Sequence, residues 1–67
     1  MLGIVSWFDV NKGVGEITSE MSEPIFVHFS AIQNESHHSL AAGQKVKFEI
    51  AQGFKGPQAV NVYVLEH

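Results

Sequence analysis

The chain is predicted to be an all-β domain that closes into a small barrel, and three observations lead there. Five short segments carry apolar residues at the two-residue period of a strand, and no segment carries the 3.6-residue period of a helix. The third is length: a chain of 67 residues buries only about 60% of the surface it exposes when unfolded. A sheet closed on itself encloses one apolar face and hides its edges within that limit.

The first segment, Leu2 to Phe8, runs into Asp9-Val10-Asn11-Lys12-Gly13, whose Asp, Asn and Gly favour a tight turn. The second, Val14 to Ser19, sets Gly15 and Ile17 on one face and Val14, Glu16 and Thr18 on the other. After a short polar connection and Pro24, the third places Ile25 and Val27 on one face and the rings of Phe26 and His28 on the opposite one. An antiparallel meander is the simplest arrangement of three segments so close in sequence. A single helical turn is expected at Ser30-Ala31-Ile32, then a loop without period to Gly43. In the fourth, Val46, Phe48 and Ile50 alternate with Lys45, Lys47 and Glu49. Gln52 to Pro57 has strong turn chemistry. The last segment sets Val60, Val62 and Val64 against Ala59, Asn61 and Tyr63.

The expected interior is Val5, Ile17, Ile25, Val27, Ile32, Val46, Phe48, Ile50, Val60 and Val62. One conflict stands out. Strict alternation puts Val5 and Trp7 on the same face, and a bulge or strong twist in the first strand resolves it.

Composition narrows function. A net charge of −3, with four lysines and no arginine, argues against a strong general polyanion binder. Without cysteine there is no disulfide framework and no thiolate metal site, which suits a cytoplasmic protein. No apolar run approaches the roughly 20 residues that cross a bilayer, so no membrane partner is expected. The amino terminus does not resemble a signal peptide, and Leu65-Glu66-His67 resembles the start of a purification tag, leaving residues 1–64 as the domain. His37 and His38 are adjacent, a poor geometry for one metal ion, and no further ligands stand at suitable spacing. Ser30 near His28, or Ser39 near His38, lacks an oriented base, so no enzyme and no cofactor is expected.

The motifs then point more narrowly. Gly3-Ile4-Val5, Trp7-Phe8-Asp9, Lys12-Gly13 and Phe26-Val27-His28-Phe29-Ser30-Ala31-Ile32-Gln33 are followed by Ser39-Leu40, Gly43-Gln44, Gly56-Pro57-Gln58-Ala59 and Asn61-Val62. In that order, over nearly the whole chain, they resemble the bacterial cold-shock proteins. The resemblance implies a five-stranded antiparallel OB-fold barrel that binds single-stranded RNA or DNA. It implies a role as an RNA chaperone or a regulator of transcription or translation. In that family two motifs on adjacent strands stack bases on aromatic rings, while lysines hold the phosphates. Carried over, the stacking residues are Trp7, Phe26, His28 and Phe29, with Phe8 at the margin. Lys12 and Lys55 serve the backbone, and Pro57 flanks the rim.

The departures are concentrated on the binding strand. The family's Lys-Gly-Phe-Gly-Phe-Ile stands here as Lys12-Gly13-Val14-Gly15-Glu16-Ile17, so both of its rings are missing. Ser6 stands where lysine is common, and Ser36-His37-His38 stands where the family has Gly-Phe-Lys or Gly-Tyr-Lys, which puts His37 in the place of a stacking ring. At about 1–3 kcal/mol per stacked base, two lost stacks weaken binding by about 2–6 kcal/mol. The expected protein is a monomer that binds single strands weakly to moderately. The alternative is a diverged or engineered barrel that has lost nucleic-acid binding and serves as a protein-interaction module or scaffold.

Overall fold

Alternation in the sequence becomes alternation of burial in the sheet. The computed structural model describes residues 1–20, 23–33, 39–54 and 56–65. Its strands are β1 (Leu2–Asp9), β2 (Val14–Ser19), β3 (Ile25–His28), β4 (Lys45–Gly53) and β5 (Gly56–Val64), with a 3-10 turn at Phe29–Ala31. They form a closed barrel in the order β1-β2-β3-β5-β4. The pairs β1–β2, β2–β3, β1–β4 and β4–β5 are antiparallel. The closing contact between β3 and β5, at Phe26 opposite Gln58, is parallel. No helix among the described residues is long and apolar enough to cross a membrane.

In β2 and β3 the two-residue period survives intact. Gly15, Ile17, Ile25 and Val27 are buried, while Val14, Glu16, Phe26 and His28 stand half-buried on the outer face. The first strand needs a correction to its period, and the structure supplies one. Val5 pairs with Ile17 but Trp7 pairs with Glu16, so β1 carries one residue more than β2 between those pairs. That extra residue is Ser6, whose hydroxyl hydrogen-bonds to that of Thr18. The bulge lets Val5 sit in the core at 1% exposure while Trp7, two residues on, lies 44% exposed on the outside.

The last strand departs from the expected pattern. Ala59 and Val64 lie in the core with Val62, whereas Val60 is only half-buried. The cause is a second bulge. Lys47 pairs with Tyr63 and Glu49 with Val60, so β5 carries the extra residue here. Asn61 takes it up with a positive φ of 50° and donates from Nδ2 to Glu49 Oε1 at 2.6 Å. Before the bulge odd-numbered residues face inward, and after it even-numbered ones do. Pro57 belongs to the inward set and is buried, so it does not flank a rim. Leu40 also joins the core, and Phe8, Ala31 and Ile50 pack against it from partly buried positions.

Two further features hold the frame. β4 and β5 pair as far as Gly53 opposite Gly56, so the Gln52–Pro57 stretch is mostly strand with a tight tip. Val5 receives and gives backbone bonds across to the segment before β4, its N–H to Gln44 and its C=O from Gly43. The segment's own turn is held by Ala41 N–H on Gln44 Oε1 at 2.8 Å.

The bulge in β5 is testable. Glycine at position 61 accepts the left-handed conformation, whereas a β-branched residue there costs about 1–2 kcal/mol. In urea unfolding followed by Trp7 fluorescence, Asn61→Val is expected to lower stability by at least that amount. Asn61→Gly should lose only the contact to Glu49 and fall well short of it.

Candidate nucleic-acid interface

The outer face of β1, β2 and β3 is organised in two rows set by strand register. One row is Trp7, Glu16 and Phe26, continued by Gln58 across the parallel contact. The other is Asp9, Val14 and His28. Directly opposed residues on one face hold their Cβ atoms about 4.5–5.5 Å apart, so the members of each row are immediate neighbours.

Glu16 therefore lies between the rings of Trp7 and Phe26. Its Oε1 accepts a hydrogen bond from Trp7 Nε1 at 3.2 Å. That contact fixes the Nε1 edge of the indole toward β2. Val14 supplies only a small apolar patch between Asp9 and His28.

His28 and Phe29 are positioned by the turn that ends β3. His28 Nδ1 accepts from the Ser30 backbone N–H at 3.3 Å and lies 2.9 Å from Ser30 Oγ. An Nδ1 that accepts requires the neutral ring to carry its proton on Nε2, which leaves an N–H donor on the side away from the turn. The rings of His28 and Phe29 lie 4.6 Å apart, tilted by 39°.

Phe29 is 44% exposed and rests on the β1–β2 turn. Its N–H donates to Gly13 C=O at 2.8 Å. Gly13 has a φ of 69°, and a Cβ there would stand 2.6 Å from Phe29 Cδ1. Only glycine meets both demands. The same turn is tied by Asp9 Oδ1, which accepts from the N–H groups of Asn11 and Lys12 at 2.9 and 3.2 Å. Lys12 thus projects from an ordered loop beside Phe29 and is exposed.

The residues expected from the sequence divide three ways. Trp7, Phe26, His28, Phe29 and Lys12 share one side of the barrel. Phe8 sits between Trp7 and Asp9 with its side chain turned toward the core, closing the space over Gly15 rather than extending the outer face. His37 and Lys55 lie outside the described residues. Three supporting residues, Gly13, Ser30 and Gln58, stand in the matching motifs but were not expected as site residues. Gly13 and Gln58 act through contacts between segments, and Ser30 through a contact two residues away. Among the described residues no three of His, Cys, Asp and Glu are grouped to hold a metal ion.

A closed five-stranded barrel in this strand order, with rings gathered on its first three strands, is an OB-fold. Comparison with known proteins makes the assignment specific. Residues 1–65 match the model of the 'Cold-shock' DNA-binding domain family, and the chain belongs to that family. It is 53% identical over 66 residues to the cold shock-like protein CspB of Yersinia pestis, covering 97% of this chain and 94% of the relative. To the cold shock-like protein CspC of Bacillus cereus it is 51% identical over 65 residues, covering 97% and 100%. To a cold shock-like protein of Thermotoga maritima it is 52% identical over 66 residues, covering 98% and 100%.

The Trp7–Glu16 contact gives this face a spectroscopic signature. Glu16→Ala removes the acceptor, so the indole N–H resonance of Trp7 is expected to move in a proton–nitrogen correlation spectrum. Glu16→Gln keeps an acceptor oxygen and should move it less. Glu16 stands half-buried on the outer face and outside the core, so both variants are expected to keep the fold. An indole resonance unmoved by Glu16→Ala would show that the bond is not held in solution.

Proposed function

We propose that this protein binds single-stranded RNA or DNA through the outer face of β1–β3, with weak to moderate affinity, as a cytoplasmic monomer acting as an RNA chaperone or as a regulator of transcription or translation. The observation that carries the reading is the gathering of Trp7, Phe26, His28 and Phe29 on one side of a cold-shock barrel, with Lys12 beside them. Bases stack on the rings, and because every base has a π-face the platform tolerates many sequences. The Nε2–H of His28 adds a donor for a base edge or a phosphate. Nothing in this arrangement calls for bond-making chemistry.

Two features limit affinity. Val14 and Glu16 occupy the strand between Trp7 and Phe26, and the Glu16 carboxylate repels phosphates that approach the face. The cations are few. Lys45 and Lys47 stand on β4 beside Leu2 and Ile4, away from Trp7. That leaves Lys12 and Lys55 for the phosphates.

The reading is tested by titrating an oligothymidine against Trp7 fluorescence at low salt. Quenching is expected, and its absence at high micromolar protein removes the proposal. With two phosphate contacts, a plot of log K against log salt should fall with a slope of about −1.4 or shallower. Val14→Phe with Glu16→Phe should tighten binding by about 30-fold to 30,000-fold, the equivalent of two restored stacks. If the double variant binds no better, the rings of β2 are not what limits this face.

A further inference from the structure

Beyond β3, the row of Trp7, Glu16 and Phe26 reaches Gln58 on β5, and there the surface changes character. Phe26, Phe54, Gly56 and Gln58 line a cleft of about 190 Å3. Phe54, at the tip of the β4–β5 hairpin, is fully exposed at 113% of its reference area. It stands at the tip because Gly53 and Gly56 pair across the hairpin and Gly56 takes a φ of 110°. Gln58 fills the space above Gly53, where any Cβ would collide with Gln58 Oε1.

We propose that this cleft binds one nucleobase of a single strand, stacked on Phe54 beside Phe26 with its edge toward the Gln58 amide. The inference rests on the nucleic-acid reading above and adds a site to it. Three observations favour a base as occupant. The cleft is continuous with the face of β1–β3 through Phe26, which belongs to both. Its volume is below the roughly 300–1,000 Å3 of drug-sized ligand sites and suits a single planar group. Its polar component is a primary amide, which offers both a donor and an acceptor, as base edges do. Glu16 strengthens the case from the other side: a carboxylate flanking Phe26 on β2 disfavours a strand centred there and moves it toward β5.

The test compares Phe54→Ala, Phe54→Leu and Phe54→Tyr with the unmodified protein in titrations with a heptathymidylate, read by Trp7 fluorescence. Phe54 is exposed, so unchanged urea midpoints will confirm that all four fold alike. Loss of one stack is expected to weaken binding about 5-fold to 150-fold in the alanine variant. The tyrosine variant should retain full affinity, and the leucine variant should behave like alanine, because leucine keeps the apolar area and loses the π-face. Equal affinity of Phe54→Ala, with normal Trp7 quenching, overturns the cleft and leaves the β1–β3 face standing. Full affinity in the leucine variant overturns stacking in favour of simple apolar contact. A dimer in sedimentation that Phe54→Ala converts to a monomer makes a second copy the occupant and overturns the proposal. Absence of quenching in the unmodified protein removes the nucleic-acid reading and the cleft together.

Discussion

One extra residue in the first strand governs the outer surface of this barrel. A strand with unbroken alternation would bury Val5 and Trp7 together or expose both. The bulge at Ser6 separates them, so the core gains a valine and the surface gains an indole. It also sets the register in which Trp7 meets Glu16 and Glu16 meets Phe26. Without that offset the rings of β1 and β3 would not share a row. The bulge at Asn61 does the same for β5, turning Ala59 inward on one side and Val62 and Val64 on the other. Five short strands must bend sharply to close, and each bulge supplies a bend while re-aiming the side chains beside it.

The two bulges were unequally legible. In β1 the sequence carries a contradiction, because a large ring and a valine two residues apart cannot share a core this small. In β5 there is none. Ala59, Val60, Val62 and Val64 are all small and apolar, so they satisfy an unbroken period as well as a broken one, and the unbroken one selects the wrong valine. Asn61 was the available sign, since asparagine tolerates the left-handed conformation better than its neighbours do. Leu40 was hidden for another reason. It stands in a stretch with no period, and its burial is decided by the core cluster it joins.

The candidate site was legible where single side chains carry it. Trp7, Phe26, His28 and Phe29 are conspicuous because aromatic rings at outward positions lack an explanation in packing. What holds them is less visible. Gly13 lies 16 residues before Phe29 in the chain and directly beneath its ring, and Ser30 fixes His28 through a turn of three residues. Phe8, expected only at the margin, is the opposite case. Next to Trp7 in sequence and equally aromatic, it is turned by the strand's own alternation toward the core.

Glu16 gives the face its particular character. In a barrel whose interior side of β2 is occupied by Gly15 and Ile17, the outer positions are free to change without disturbing the fold. A carboxylate there does two things at once. It holds the indole through Trp7 Nε1, and it places negative charge at the centre of a surface where single strands would bring more. The consequence is an asymmetric platform, with Trp7 on one side of the charge and Phe26, His28 and Phe29 on the other. A strand that avoids the carboxylate has more aromatic surface on the β3 side, and that side opens toward Gln58 and Phe54. The substitution that removes the rings of β2 therefore also sets the direction in which the remaining surface extends.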